Sequence, residues 1–352
     1  MIGKRLNFAR KAAGLSLRDL GAQVGLSHAT IKKYEDEQTT PSSGTLLELA
    51  RALNVRVEYF FRADVPMLDH FEFQQCGSLP KKRLDAIKHK AIDQMERRLE
   101  LENLFPVSPI TSFAQVEKLP AVVTDFTQIE EATERLRQAW GLGLGPIADF
   151  TGALERRGIC VVTIDVNADT EFDGLAVSVN RMPIIVVDGN WPGDRQRFTL
   201  ARELGRLMLA DRLAESLDEK KACIRFAGAF LIPQQSVARE FGERRNSIEP
   251  KELALLKEKF GLSMHELLCR AHDLGIVTSA QRGDQEKYFL GKGWHFKEPG
   301  KAYPADRAHV FERLVFRALA ESYIGEAKAA ELMNLPLATF RAARTLAARM
   351  LP

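Results

Sequence analysis

Hydrophobic residues in positions 1–66 recur at helical spacing and are separated by short polar turns. Leu17 and Leu20 mark the apolar side of one predicted helix, and a second short helix is predicted over 28–35. Gly25 stands between them and permits the left-handed conformation that a tight corner between two helices needs. The predicted helix caps are Ser16 and Ser27, and a further helix is predicted to start at Pro41-Ser42. This part of the chain is therefore predicted to be a bundle of short helices.

The rest of the chain combines longer helical patterns with one short β-rich region. A densely charged amphipathic helix is predicted over 80–104, and several prolines follow it. Another helix is predicted to begin after Pro192 and Gly193, with Asp194 as its cap. Further predicted helices cover 127–140 and 148–157, predicted strands cover 159–164, 175–179 and 183–187, and Asn180-Arg181 is the predicted hairpin turn. These patterns predict a mainly α fold with a small α+β domain.

The composition is that of a globular chain and excludes two classes of protein. Of 352 residues, 45% are hydrophobic and 28% are charged, and the formal net charge is +3, which excludes a histone-like tail and an acidic solvating chain. The four cysteines show no C-x-x-C spacing, which argues against a disulfide framework. The chain contains no signal-peptide core and no apolar run near the ~20 residues that cross a bilayer. We therefore expect a cytoplasmic protein with no membrane partner.

The length favours two or three domains, and shifts in composition suggest where they divide. The predicted parts are a helical bundle over 1–66, a linker with the long charged helix over 67–119, an α+β domain over 120–262 and a helical extension over 263–352.

The spacing of the N-terminal bundle resembles the XRE class of helix-turn-helix repressors, through LSLRDLGAQVGLSHATIKKYE at 15–35 and the helix that follows. The resemblance implies that the second helix of the motif lies in the major groove of DNA. The residues placed at base edges and phosphates by this resemblance are Ser27, His28, Ala29, Thr30, Lys32 and Lys33. For the two lysines, a solvated helix face is the alternative interpretation. Arg10 and Glu35 match positions that form a structural ion pair in the family.

The charge of the N-terminal segment agrees with a double-stranded DNA operator as partner. Residues 1–62 contain ten Lys and Arg against six Asp and Glu, which is a modest excess of four. Leu17 stands where the family often has a glutamine that touches phosphate, so one expected contact is weakened. Since a single module of this size binds DNA weakly, we expect a homodimer on a two-fold operator.

A second resemblance lies in the middle of the chain. The stretch GDRQRFTLARELGRLML at 193–209 and the block CIRFAGAFLIP at 223–233 resemble the ImmA/IrrE family of metallopeptidases, whose fold is zincin-like. In that family the first stretch carries H-E-x-x-H, with two zinc-binding histidines and a glutamate that activates water. A glutamate ahead of the second block supplies the third ligand.

The zinc ligands of this family are absent from the chain. Arg202 and Arg206 stand at the histidine positions, and Lys220, beside Glu219, stands at the third. Arginine offers no lone pair to a metal, so we expect a catalytically inactive domain that retains only Glu203. The alternatives are an ordinary charged helix face, a cleft filled by ion pairs, or a pocket in which the three cations bind a carboxylate or phosphate.

One other set of residues has metal-ligand spacing. His265, Cys269 and His272 lie at i, i+4 and i+7 of a predicted helix, although a packing helix is the alternative and no fourth ligand is evident. We therefore expect no bound metal and no cofactor.

Together the two resemblances imply a DNA-binding repressor with an inactive peptidase-like sensor or partner domain. Regulators of this architecture include autoregulating antitoxins and regulators of mobile elements or stress responses, so a toxin or another protein is an expected partner. Two alternatives stay open: an active zinc peptidase that cleaves a repressor, and a module that neutralises a toxin by contact alone. Glu326 to Pro336 also has helix-turn-helix character, with Asn334 able to adopt the left-handed corner, which is compatible with a second DNA contact or with a partner-binding or dimerising helical unit.

Overall fold

Sixteen α-helices and three strands form in the part of the chain that the structure, a computed structural model, describes: residues 2–62, 80–114, 119–166, 172–179, 182–295 and 297–345. The first helices are α1 (Ile2–Ala12), α2 (Leu17–Gln23), α3 (His28–Glu35), α4 (Ser43–Ala52), a 3-10 helix (Val57–Phe61) and α5 (Lys81–Glu102). Next come α6 (Phe126–Trp140), α7 (Phe150–Glu155), β1 (Cys160–Ile164), β2 (Gly174–Val179), β3 (Met182–Asp188), α8 (Gly193–Leu209) and α9 (Glu219–Leu231). The last are α10 (Gln234–Phe241), α11 (Pro250–Phe260), α12 (Met264–Asp273), α13 (Ser279–Gly291), α14 (Val310–Ala320), α15 (Glu326–Leu332) and α16 (Leu337–Arg344). The mainly α fold with a small α+β domain is confirmed.

The chain divides into two compact units. The first contains Met1–Thr111 together with Ala308–Pro352, and the second contains Ser112–Arg307. The helical tail is shared between them, because α14 and α15 contact α5, whereas α12 and α13 pack within the second unit. The four parts drawn from composition remain a prediction.

The N-terminal helices of the first unit form the predicted bundle because local signals fix each helix end. Ser16 and Ser27 accept hydrogen bonds from the backbone N–H groups three residues on, each at 3.1 Å, and Ser42 does the same at 3.2 Å. Gly25 has φ of 68°, the left-handed conformation that the corner requires. Leu20 and Ile31 are fully buried in the shared core. The predicted caps and the corner are confirmed.

The C-terminal helices complete the first unit by packing against α5. Leu101 from α5, Val315 from α14 and Phe340 from α16 are fully buried in one hydrophobic cluster. Arg62 lies 3.0 Å from the carboxylate of Glu331, so an ion pair joins the end of the N-terminal bundle to α15. The tail helices are therefore part of the same unit as the N-terminal bundle.

The second unit is built on a three-stranded sheet in the order β1-β3-β2, with β3 parallel to β1 and antiparallel to β2. The antiparallel pairing is the one that the predicted hairpin required, although its turn at 180–181 lies outside the described residues. Helix α8 packs on β2 and β3, and α9 packs on α8. The approach of the two helices depends on Gly205, because a Cβ at this position would lie 2.9 Å from the ring of Phe226. A buried ion pair between Arg270 and Glu130 (2.6 Å) fastens α12 to α6.

The start of α8 differs from the sequence prediction. Pro192, and not Asp194, is the residue that precedes the helix, and Asp194 lies inside the first turn. The carboxylate of Asp194 is buried and lies 2.7 Å from Nζ of Lys257 on α11. The cap prediction was wrong because a long-range ion pair takes the side chain that a local pattern assigned to the helix end. Among the described residues, no helix is long and apolar enough to cross a bilayer.

Candidate functional site

The first candidate surface is the N-terminal end of α3. The residues predicted to contact DNA all lie on this helix or at its cap: Ser27, His28, Ala29, Thr30, Lys32 and Lys33. All of them are exposed except Thr30, which is half-buried. The hydroxyl of Ser27 caps the helix, and Nζ of Lys32 lies 2.7 Å from the carboxylate of Asp36. The structure thus places the six residues on one short helix and its cap, with Ser27, His28, Ala29 and Thr30 at the N-terminal end and Lys32 and Lys33 in the last turn.

A buried ion pair holds α3 in place. Nε and Nη2 of Arg10 donate to the two carboxylate oxygens of Glu35 at 2.6 and 2.9 Å, and Asn7 donates to the same carboxylate. Arg10 also donates to the carbonyl of Leu15, so it joins α1, the loop before α2 and the end of α3. The predicted structural role of Arg10 and Glu35 is confirmed. This bidentate arrangement makes the orientation of α3 rigid.

The second candidate site is a cluster of ion pairs on α8. Glu203 is fully buried, and its two carboxylate oxygens accept hydrogen bonds from Arg202 (3.0 Å) and Arg206 (2.5 Å). Nε of Arg206 also donates to Glu219 at 2.8 Å. Burial by itself opposes the charge of Arg206, but the negative charge of Glu203 and the hydrogen bond to Glu219 raise the pKa of Arg206 above its ordinary value. Glu203 is therefore the shared counterion of two guanidinium groups.

Sequence reasoning missed one carboxylate of this cluster. Asp173 precedes β2, and it lies 3.6 Å from Arg202 and 2.7 Å from Arg195. No local signal marks this residue, because it lies about thirty positions before Arg202 and reaches the cluster only through the packing of β2 on α8.

The side chain of Lys220 does not join the cluster, although the resemblance places it at the third ligand position. Its side chain is exposed, and no ion pair with Lys220 is found in the described part of the chain, whereas the neighbouring Glu219 contacts Arg206. The cluster therefore contains Arg195, Arg202 and Arg206 against Asp173, Glu203 and Glu219. Its charges balance without an external anion.

A buried thiol lies beside the cluster. Cys223 is fully buried on α9, and burial raises the pKa of its thiol to about 12, although the charge of Arg206 acts in the opposite direction. Because nucleophilic attack by cysteine requires the thiolate, Cys223 supplies no nucleophile at neutral pH.

The predicted cluster of His265, Cys269 and His272 is only partly formed. Sγ of Cys269 lies 3.8 Å from Nε2 of His265, and that nitrogen lies 3.3 Å from the carboxylate of Glu286 on α13. His272 instead lies 3.0 Å from the hydroxyl of Ser279. In the described residues, the group with the spacing of metal ligands is therefore His265, Cys269 and Glu286, at the protein surface.

Comparisons with known proteins match the two domains in which these sites lie. Residues 6–60 match the helix-turn-helix family, and residues 154–272 match the IrrE N-terminal-like domain. The chain is 33% identical over 84 residues to an uncharacterized transcriptional regulator in the ATPase CF(0) region of Rhodospirillum rubrum, 23% of this chain and 77% of that protein. It is 30% identical over 63 residues to the HTH-type transcriptional regulator ImmR of Bacillus subtilis, 18% of this chain and 50% of ImmR. It is 29% identical over 83 residues to repressor protein C2 of Salmonella phage P22, 23% of this chain and 38% of the repressor.

The chain therefore belongs to the helix-turn-helix transcriptional regulators. Within that class it also carries an IrrE-like domain, so the predicted combination of an XRE-type module and an ImmA/IrrE-type module is confirmed. The matched stretches span 38% of the phage repressor and 50% of ImmR, which is less than two thirds of either protein.

Proposed function

We propose that this protein is a sequence-specific DNA-binding repressor that reads its operator with α3. The observation that supports this most strongly is the exposed N-terminal end of α3, held rigid by the pair of Arg10 and Glu35. In this proposal, His28 and Ala29 face base edges in the major groove, while Lys32 and Lys33 contact phosphate or guanine. The name of the phage relative, a repressor protein, supports repression as the regulatory sense.

We propose that the operator is bound by a homodimer. A single module places only one helix end against the bases, and two-fold symmetric proteins obtain affinity by contacting two half-sites about one helical turn apart. A palindromic operator is therefore expected.

The IrrE-like domain is, in this proposal, not a peptidase. Arg202 and Arg206 stand where the family has zinc-binding histidines, and guanidinium groups have no lone pair for a metal. Glu203, at the position of the base that activates water, has both carboxylate oxygens engaged by these arginines. These residues do not fit a zinc ion, since a cation would have to replace two positive charges that already neutralise the carboxylate.

We further propose that this cluster is where a partner acts on the domain. Glu219 is 57% exposed and Lys220 is exposed beside it, so an acidic segment of a partner can replace Glu219 on Arg206. A toxin or another regulatory protein with such a segment is the expected partner. Replacing Arg202 and Arg206 by alanine should abolish the partner's effect on DNA binding while the N-terminal module still binds.

The repressor function is tested by selecting duplexes from a random library with the full chain and measuring affinity against salt. Lys32→Ala with Lys33→Ala should weaken binding and lower the salt slope by about one for each of the two lysines that binds a phosphate. Lys251→Ala with Lys287→Ala, two exposed lysines of the other unit, is the matched control and should change neither quantity. If no sequence is enriched, or if both double variants behave alike, the proposed role of α3 is wrong.

The biological setting is tested by purifying the full chain from its native host. A small toxin retained with the protein would identify an antitoxin, and retention without DNA binding would identify a module that acts by contact alone. Cleavage of a repressor by the zinc-supplemented chain would overturn the proposal of an inactive domain.

A further inference from the structure

The C-terminal helices repeat the geometry of the N-terminal helix-turn-helix. Helix α2 covers Leu17–Gln23 and α3 covers His28–Glu35, whereas α15 covers Glu326–Leu332 and α16 covers Leu337–Arg344. Adding 309 to each boundary of the first pair gives the boundaries of the second. The two helices and the four-residue connection between them therefore have the same lengths at both ends of the chain.

The corner between the helices is also repeated. Gly25 and Asn334, which correspond under this offset, are both left-handed, with φ of 68° and 52°. In the first corner the N–H of Leu26 donates to the carbonyl of Gly21, and in the second the N–H of Leu335 donates to the carbonyl of Ala330, both at 2.9 Å. The backbone of the second corner thus follows that of the first.

Buried positions correspond in the same way. Leu20 and Ile31, which close the first motif, are matched by Ala329 and Phe340, and all four side chains are fully buried. The helix before each motif is eleven residues long and is followed by a left-handed residue, Gly14 before α2 and Ser322 before α15. The two patterns differ in that the loop before α15 is one residue longer than the loop before α2.

Some of the residues through which α3 is proposed to contact DNA also have counterparts on α16. Ala29 and Thr30 correspond to Ala338 and Thr339, and Lys32 corresponds to Arg341. On α16 the side chains of Ala338, Thr339 and Arg341 are all exposed. Thus three of the six positions that α3 is proposed to use keep their chemistry on α16: a methyl group, a hydroxyl and a cation at fixed spacing. Ser27, His28 and Lys33 instead correspond to Pro336, Leu337 and Ala342.

We propose that α16 is a second DNA-reading helix, and that Arg341 contacts a phosphate or a base edge of double-stranded DNA. This proposal rests on the proposed function of α3, since it assumes that the chain binds an operator. The ion pair between Arg62 and Glu331 keeps the second motif in the same unit as the first, so both motifs belong to one DNA-binding unit.

A carboxylate of the same motif lies against the exposed arginines of α16. Glu326 lies 2.8 Å from Nε of Arg341 and also pairs with Arg344. Glu326 corresponds to Leu17, the position at which the XRE family often contacts phosphate. The carboxylate therefore satisfies the arginines where a phosphate is expected, and DNA binding through α16 must displace it. Removal of this carboxylate should strengthen binding.

The experiment uses the full chain and the duplex that it selects from a random library, with flanks long enough for both motifs. Arg341→Ala should weaken binding by about three- to tenfold, lower the salt slope by about one and shorten the protected stretch of DNA. Glu326→Gln should tighten binding. Arg317→Ala, which removes an exposed arginine paired with Glu321 in the same unit, is the matched control and should leave all three quantities unchanged.

The outcomes separate this inference from the function of α3. If Lys32→Ala with Lys33→Ala abolishes binding while Arg341→Ala equals the Arg317 control, α3 reads DNA and α16 does not. If Arg341→Ala shifts the oligomeric state measured by sedimentation and leaves the footprint of the remaining dimer unchanged, the surface contacts a second copy of the chain, and the proposal is overturned. If neither motif affects DNA binding, the proposed function itself fails.

Discussion

The substitution Glu203→Gln distinguishes a structural carboxylate from a catalytic one. The amide keeps the size of the side chain but removes the charge that neutralises Arg202 and Arg206. Because the carboxylate of Glu203 is fully buried and both of its oxygens accept hydrogen bonds, this change leaves two cations short of a counterion at the centre of the cluster.

The size of the effect follows from the burial of each partner. Breaking a fully buried ion pair costs about 3–5 kcal/mol. The arginine side chains are 23% and 25% exposed and keep Asp173 and Glu219 as partners, so we expect about 2 kcal/mol of destabilisation. For a unit of this size, that corresponds to a fall of roughly 4–8 °C in the melting temperature.

The assay is thermal and urea unfolding of the full chain, with Glu219→Gln as the matched control. Glu219 binds the same Arg206 but is 57% exposed, so its removal should change the free energy of unfolding by less than about 1 kcal/mol. Equal stability of the two variants would refute the structural role of Glu203, and a gain of stability in Glu203→Gln would indicate a functional carboxylate held at a cost to the fold.

Three further predictions concern packing and pH. Arg270→Met removes one partner of a buried ion pair and should destabilise the second unit by about 3 kcal/mol in urea unfolding. Gly205→Ala should destabilise by about 1–3 kcal/mol because its Cβ meets Phe226, whereas Gly283→Ala, which meets nothing within 4 Å, should be neutral or stabilising. Burial lowers the pKa of His89 from 6.5 to about 4, so the contribution of His89 to stability is full above pH 6.5 and falls by about 2–3 kcal/mol as the pH drops toward 4. Unfolding from pH 4 to 7 should show a decrease that is larger by this amount in the native chain than in His89→Leu.

Features set by neighbouring residues were predictable from the sequence. The cap at Ser27, the left-handed corner at Gly25 and the ion pair of Arg10 with Glu35 follow from short-range chemistry or from a resemblance that covers adjacent helices. The six residues predicted to contact DNA lie close together because they are neighbours in sequence on α3 and its cap.

Features set by tertiary contacts were not predictable. Asp173 contacts the arginines of α8 only because β2 packs on that helix. Asp194 does not cap α8 as predicted, because its carboxylate pairs with Lys257, more than sixty residues away. The helix-turn-helix of the tail and its left-handed corner at Asn334 were predictable from the sequence, but its correspondence to the N-terminal motif required the bounds of the helices. Sequence spacing also predicted His272 as the third member of the group with metal-ligand spacing, whereas in the structure the third member is Glu286.

The central claim is that a DNA-binding regulator carries a peptidase-like domain closed by its own ion pairs. It is tested most directly by the zinc content of the full chain after incubation with zinc and dialysis, in a variant with His265→Ala and Cys269→Ala that removes the surface cluster. We expect a zinc-to-chain ratio close to zero, because the carboxylate of Glu203 is occupied by Arg202 and Arg206. One zinc per chain in this variant would contradict the claim.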